Sequence, residues 1–101
     1  MILAFSVAPT ETPSATAEMS GAVARAVKVV RESGLPNETN AMFTIIEGEW
    51  DEVMDVVKRA TEAVQEVSPR VSLVIKADIR PGYTDRIRGK VDSIERELGN
   101  L

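Results

Sequence analysis

The sequence predicts one α+β domain, built from four short strands and three amphipathic helices. The chain has 101 residues, enough for one domain and not for two. Hydrophobic residues make up 44% of it, as in globular proteins. The spacing of these residues switches repeatedly between the two-residue period of strands and the 3.6-residue period of helices. Because no linker or repeat interrupts the pattern, we take residues 1–101 as a single domain.

The first half of the chain predicts a strand, a helix and a hairpin. Residues 2–8 form a short apolar run typical of a strand, and the proline-bounded residues 9–13 predict a loop. Residues 16–33 carry apolar side chains at three- and four-residue steps and end at a glycine, which predicts a helix. Residues 37–48 predict a weak strand, a tight turn at 41–42, and a stronger strand.

The second half predicts a helix, a strand and a last helix. Residues 50–67 have one apolar face that ends before Pro69. Residues 71–79 alternate between apolar and polar side chains, as expected of a strand with one buried face. After a Pro-Gly turn, Thr84 is a candidate N-cap for a third amphipathic helix.

This β-α-β-β-α-β order predicts a ferredoxin-like sandwich with an extra C-terminal helix. Two helices would cover one face of the antiparallel sheet and leave the other face open, so each strand should have an inner and an outer face. We expect Phe43 and Ile45 to face the helices. The open face would then carry Ser6, Thr44, Ile46, Val74 and Lys76. Because this set mixes apolar and polar residues, we expect a second subunit to cover it, and a plain solvated face is the alternative.

Composition excludes several classes of function. The chain has no cysteine and no histidine, so thiolate chemistry and the usual general base and metal ligand are excluded. The net charge of −4, without a basic tract, gives no indication of nucleic-acid or membrane binding. The N-terminus lacks the basic segment and the length of a signal peptide, which predicts a cytoplasmic protein. No constellation of Asp, Glu, Lys and Ser suggests an enzyme.

Two groups of charged residues allow more than one interpretation. The acids between Glu47 and Glu52 would form a cation site or, as we favour, stabilise the positive end of the following helix. Lys76 and Asp78 alternate along the last strand, where they would be a charge pair or ligand contacts. We predict no metal site.

Several segments together carry a family resemblance. Residues 44–54, Thr-Ile-Ile-Glu-Gly-Glu-Trp-Asp-Glu-Val-Met, resemble the thiamine-binding protein family of small ferredoxin-like proteins. Residues 5–9, 26–35 and 75–80 resemble that family's first strand, first helix and last strand. The resemblance covers nearly the whole chain in order. Phe43 stands where the family has a glycine, a change that alters turn freedom and would reshape a pocket.

The resemblance implies a non-enzymatic protein that binds thiamine or its hydroxymethylpyrimidine part. It also implies self-association into homodimers that pair as homotetramers. The resemblance implies a ligand site formed by Ser6, Met42, Thr44, Glu47, Lys76 and Asp78, and we add Asn40 because its amide group could supply hydrogen bonds.

The chemistry of these residues suits thiamine. Hydroxyl and amide groups of Ser6, Asn40 and Thr44 would bind the aminopyrimidine, and Glu47 or Asp78 would offset the positive thiazolium. The lack of a basic cluster favours unphosphorylated thiamine, and no other cofactor is expected. The alternative function is a ligand-free regulatory or assembly subunit that acts through protein contacts.

Overall fold

A computed structural model describes residues 1–10 and 17–101, with side chains described for residues 1–10 and 20–101. Its elements follow the predicted order. They are β1 (Ile2–Pro9), α1 (Ala17–Glu32), β2 (Asn37–Thr39), β3 (Thr44–Glu47), α2 (Trp50–Gln65), β4 (Val71–Asp78) and α3 (Arg86–Gly99). Pro9 ends β1 rather than opening a loop, and the rest of the predicted loop beyond Thr10 lies outside the described residues.

The four strands form one antiparallel sheet in the order β2-β3-β1-β4. β1 is central and pairs with β4 along all eight of its residues, from Ile2 opposite Asp78 to Pro9 opposite Val71. On its other side β1 pairs with β3 over only four residues and stops at Phe5 opposite Thr44. The second half of β1 therefore has a strand neighbour on one side only.

Helices α1 and α2 cover one face of the sheet, because alternate residues of β1 and one face of each helix are apolar. Leu3, Phe5 and Val7 point into this layer and are buried. The apolar face predicted for α2 is confirmed as far as the helix extends. Its buried residues are Val53, Val56, Val57, Ala60 and Val64. Val67 lies beyond the helix end and is exposed.

The predicted orientation of β3 is wrong by one residue. Thr44 lies opposite Phe5 and Ile46 opposite Leu3, so both face the helices with those buried partners. Ile45 lies opposite Ala4 on the other face. Two adjacent isoleucines fit either orientation, and a slip of one residue exchanges the two faces of a strand. The register with β1 decides the orientation.

The open face of the sheet is partly covered by the chain's own third helix. Ile2, Glu47 and Asp78 form a row across β1, β3 and β4 on that face. α3 begins above this row. Thr84 is not its N-cap: Asp85 holds that position, in a left-handed conformation with φ of 54° and without a side-chain cap hydrogen bond. The free backbone N–H groups at the N-terminus of α3 instead donate hydrogen bonds to a side chain of the sheet.

Candidate functional site

A cavity of about 200 Å³ opens where the sheet has a gap. β3 starts only at Thr44, so the part of β1 beyond Phe5 has no β3 residue beside it. The cavity fills this space and extends to both faces of the sheet: Ser6 and Ala8 line it from the open face and Val7 from the helix face. A longer β3 would have closed it. Its full lining is Phe5, Ser6, Val7, Ala8, Val23, Ala26, Val27, Thr39, Asn40, Ala41, Met42, Phe43 and Thr44.

Asn40 shapes the loop on the far side of the cavity. Its side-chain Oδ1 accepts hydrogen bonds from the backbone N–H groups of Met42, at 2.8 Å, and Phe43, at 2.9 Å. The backbone N–H of Asn40 donates to the carbonyl of Phe43 at 3.0 Å. Asparagine favours such turns because its short side chain can bind backbone groups two residues ahead. The turn holds residues 40–43 away from β1.

Two residues with hydroxyl groups line the cavity, one from each face of the sheet. Ser6 is half-buried on β1, and Thr44 is buried at the start of β3. Within the described part of the chain, neither side chain has a hydrogen-bond partner, and no fully buried side-chain polar atom is left unsatisfied. Both hydroxyls are therefore available to a molecule in the cavity, each as donor and acceptor.

The cavity brings four of the seven predicted site residues together: Ser6, Asn40, Met42 and Thr44. Met42 is 74% exposed and stands at the mouth. The prediction did not include the apolar wall, which comes from α1 and from Phe5 and Val7. One sequence signal could have revealed it: the predicted first strand is longer than the predicted strand beside it, so part of its edge must remain uncovered.

The other predicted residues lie outside the cavity. Glu47 and Asp78 are level with Ile2, four residues along β1 from Ser6, which is about 13 Å at the usual rise of a strand. Lys76 lies between the two ends, opposite Ala4 on the open face.

Glu47 has a structural partner in α3. Its carboxylate accepts hydrogen bonds from the backbone N–H of Arg86 at 2.9 Å and of Ile87 at 3.1 Å. These donors have no partner within the helix, and a negative charge there is favoured by the helix dipole. Glu47 as a whole is only 6% exposed, so its side chain is largely removed from water.

Asp78 also binds α3. Its carboxylate pairs with the ammonium group of Lys90. The hydrogen bond from Lys90 and the positive charge of that residue lower the pKa of Asp78 below its ordinary value, and the charge of Arg80 acts in the same direction. Glu47 and Asp78 thus anchor the first turn and a half of α3 to the open face.

The acids before α2 follow helix-capping chemistry. The Glu52 carboxylate accepts a hydrogen bond from the backbone N–H of Glu49 at 2.8 Å, and Asp51 and Glu52 occupy the first turn. Within residues 1–10 and 20–101, no three acidic side chains are grouped so that they could hold a metal ion. Among the helices described, none is long and apolar enough to cross a membrane.

Comparison with known sequences identifies relatives across nearly the whole chain. The profile of a family described as Thiamine-binding protein matches residues 3–95. A UPF0045 protein of Mycobacterium bovis is 54% identical over 99 residues, which cover 97% of this chain and 94% of that protein. A UPF0045 protein of Methanothermobacter thermautotrophicus is 37% identical over 82 residues, covering 79% and 83%.

Solved structures agree with the fold. A hypothetical protein of Methanocaldococcus jannaschii superposes with a TM-score of 0.81 at 30% identity, over 93% of this chain and 94% of that one. A Thermotoga maritima protein, described as a candidate for thiamine biosynthesis or salvage, gives a TM-score of 0.77 at 23% identity, over 92% and 96%. At that identity the second likeness concerns the fold alone.

Proposed function

The chain belongs to the thiamine-binding protein family, and on that premise we propose that it binds thiamine or a related hydroxymethylpyrimidine without catalysing a reaction. One observation carries the proposal: Ser6, Met42 and Thr44, which the family resemblance marks as ligand residues, line the same cavity as Asn40, which was expected to bind the ligand because of its amide group. In this proposal Glu47 and Asp78 hold α3 instead of contacting the ligand.

The size of the cavity favours the pyrimidine half as the buried part. Small-molecule sites usually enclose about 300–1,000 Å³, and this one has about 200 Å³ in a single subunit. A methylated aminopyrimidine is a flat ring that suits a narrow, largely apolar space with a few polar groups. The hydroxyls of Ser6 and Thr44 supply such groups.

The thiazolium half would lie at the mouth, beside Met42 and Phe43. Both side chains line the cavity near its exposed end. An aromatic ring face attracts a permanent cation, so Phe43 can take the role that a carboxylate was expected to fill. Among the described residues that line the cavity, none is lysine or arginine. A phosphate would find no charged partner there, which supports unphosphorylated thiamine as the ligand.

We propose that the protein acts as a homo-oligomer, in which subunits pair through β4. This strand is at the edge of the sheet and is exposed along nearly its whole length. Val74 is 52% exposed, and Leu73 and Ile75 are also exposed. Long apolar edge strands are templates for pairing with another chain. The strand order and the two β-α-β crossings support the ferredoxin-like arrangement, which leaves this edge free.

The outer part of α3 suits the same partner. Val91, Ile94 and Leu98 form an apolar stripe and are each more than half exposed. Since α3 starts beside β3 and reaches Asp78 of β4 at Lys90, its remaining turns extend past the β4 edge. A second copy paired there would place its own open face beneath this stripe. The cytoplasmic location predicted from the N-terminal sequence belongs to the same proposal.

Isothermal titration with thiamine tests the proposed function. We expect saturable binding, and a loss of about three- to tenfold in affinity for Thr44→Val, which removes the hydroxyl but keeps the shape. Thr61→Val is the matched control, because Thr61 lies on α2 and donates to the carbonyl of Val57 at 2.8 Å, away from the cavity. Absence of binding at millimolar thiamine by an intact oligomer would favour the ligand-free assembly subunit.

A further inference from the structure

The hydrogen bonds at the two ends of β1 show whether the backbone N–H and C=O groups of each of its residues point towards β3 or towards β4. Met1 and Gly48 exchange two hydrogen bonds, from the Met1 ammonium to the Gly48 carbonyl and from the Gly48 N–H to the Met1 carbonyl. At the other end, the N–H of Thr10 donates to the carbonyl of Arg70, next to β4. Successive residues of a strand direct their backbone groups to opposite sides. Odd-numbered residues of β1 therefore face β3, and even-numbered residues face β4.

Val7 faces the gap. Leu3 and Phe5 are the preceding odd residues, paired with Ile46 and Thr44, and the same register would place Met42 opposite Val7. Met42 cannot pair there, because its N–H is bound to the side chain of Asn40. Within the described part of the chain, the N–H and C=O of Val7 have no partner.

The environment of these two groups points to a ligand. Val7 is only 5% exposed and lines the cavity. The backbone groups of buried residues are nearly always paired, since an unpaired one costs about as much as a lost hydrogen bond. The cavity thus presents one donor and one acceptor of the same residue, side by side and aimed into it.

We propose that the main chain of Val7 is the recognition edge of the cavity and selects a planar ring with an adjacent acceptor and donor, as in a 4-aminopyrimidine. The ring nitrogen accepts from the Val7 N–H, and the exocyclic amine donates to the Val7 carbonyl. This rests on, and deepens, the proposed function. In a 4-oxo analogue the ring nitrogen carries a proton and the exocyclic group is a carbonyl oxygen. Its ring N–H would then face the Val7 N–H, and its oxygen would face the Val7 carbonyl, so neither hydrogen bond could form. A site built this way rejects such an analogue strongly.

Amide hydrogen exchange, measured by NMR on the ligand-free protein, tests whether the Val7 recognition edge is unpaired. We expect the Val7 amide to exchange at least about tenfold faster than those of Leu3 and Phe5, which are paired with β3. Equal protection of Val7 and Phe5 would overturn the proposal whatever the protein binds. Saturating thiamine should then slow exchange at Val7 about tenfold and leave Ser6, whose backbone faces β4, unchanged.

Ligand comparison separates this proposal from the proposed function. We expect the 4-oxo analogue of thiamine to bind about 100-fold more weakly than thiamine. Thiamine and its 4-oxo analogue binding equally would refute the recognition edge and leave the proposed function standing. If thiamine fails to bind but 4-amino-2-methylpyrimidine protects Val7, the thiamine proposal fails and the edge stands. If neither compound protects Val7, the edge is refuted.

A variant pair tests what holds the edge open. Asn40→Ala removes the acceptor that holds Met42, so β3 can extend and pair Met42 with Val7. We expect slow exchange of Val7 in the free variant and at least tenfold weaker thiamine binding. Asn40→Asp keeps an oxygen acceptor and should keep fast exchange at Val7. Fast Val7 exchange and undiminished binding in Asn40→Ala would contradict the proposal.

Discussion

The carboxylate of Glu47 accepts a hydrogen bond from the backbone N–H of Arg86 at 2.9 Å. A residue at the end of β3 therefore caps a helix that begins 39 positions later in the chain. A second hydrogen bond, from Ile87, makes the cap bidentate. α3 has no buried residue of its own. Its position therefore depends on polar contacts with the sheet more than on a packed apolar face.

Replacing Glu47 with alanine should loosen α3. The substitution leaves two partly buried backbone donors without their partner, which costs about 1–3 kcal/mol. We expect the free energy of opening of α3, measured by amide hydrogen exchange, to fall by that amount. Glu38→Ala on β2 removes an exposed carboxylate one strand away and should change little. Equal protection of α3 in the two variants would contradict the capping role.

The contact between Asp78 and Lys90 should respond to acid. The folded-state pKa of Asp78 is lowered by Lys90, so it lies below the value of about 3.9 in an unfolded chain. The pair therefore contributes stability above about pH 4 and loses it as the pH falls through the lower folded-state pKa. Titration of the Asp78 carboxyl carbon by NMR should show this low pKa in the wild type.

The Lys90→Gln variant tests whether Lys90 causes the low pKa of Asp78. This variant should return the pKa of Asp78 towards its ordinary value, because both the hydrogen bond and the charge of Lys90 are removed. Lys58→Gln, on the exposed side of α2, should leave it low. An unchanged pKa in Lys90→Gln would show that Lys90 is not the partner in solution.

Proline at position 75 should block pairing of subunits through β4. The even-numbered residues of β1 direct their backbone groups to β4 and lie opposite even-numbered residues of β4, which bind them. The odd-numbered residues of β4 direct their backbone groups away from β1, so the N–H of Ile75 points outward. Proline removes that donor and is tolerated where the N–H of an edge strand faces solvent. We expect Ile75→Pro to fold as a monomer by light scattering. Ile75→Ala shortens the side chain, keeps the N–H and should remain oligomeric.

The mass of Ile75→Pro also decides whether β4 is the contact. A monomeric wild type would remove the proposed assembly altogether. An oligomer of undiminished mass in Ile75→Pro, with the circular dichroism of the wild type, would place the subunit contact elsewhere on the surface.

Filling the cavity from α1 should block the ligand at little cost in stability. Ala22 and Ala26 lie one turn apart and are both 2% exposed, but only Ala26 lines the cavity. Leucine at position 22 overpacks the core and should cost about 1–3 kcal/mol in unfolding free energy. Leucine at position 26 has space available, so it should cost less and weaken thiamine binding at least tenfold. Equal destabilisation by the two substitutions would mean that the cavity is filled in solution.

The parts of this fold that local pattern controls could be predicted from the sequence. The orientation of β4 is predictable because Lys76 and Asp78 alternate with Ile75 and Ala77, which leaves little choice of face. The orientation of β3 is not predictable, because its two central residues, Ile45 and Ile46, are equally apolar and only pairing with β1 distinguishes them.

The candidate site likewise combines features that local sequence controls with features that depend on contacts between distant segments. Residues 40–43 form one turn that leads directly into Thr44 of β3, so their grouping follows from the order of elements. Glu47 was expected beside them, and its contact with Arg86 could not be anticipated, since no local signal links a strand end to a helix start so far along the chain. The role of Val7 could not be predicted for a different reason: it depends on backbone groups, which every residue other than proline carries.

The central place of β1 also bears on how the chain folds. Both strands that neighbour β1 lie far downstream of it in the sequence, since Ile2 pairs with Glu47 and with Asp78. Contacts between such distant segments form slowly, because a long loop must close before they stabilise the chain. During synthesis, the second neighbour of β1 does not exist until β4 has left the ribosome. Until then its apolar residues depend on the helices, or on chaperones, for cover.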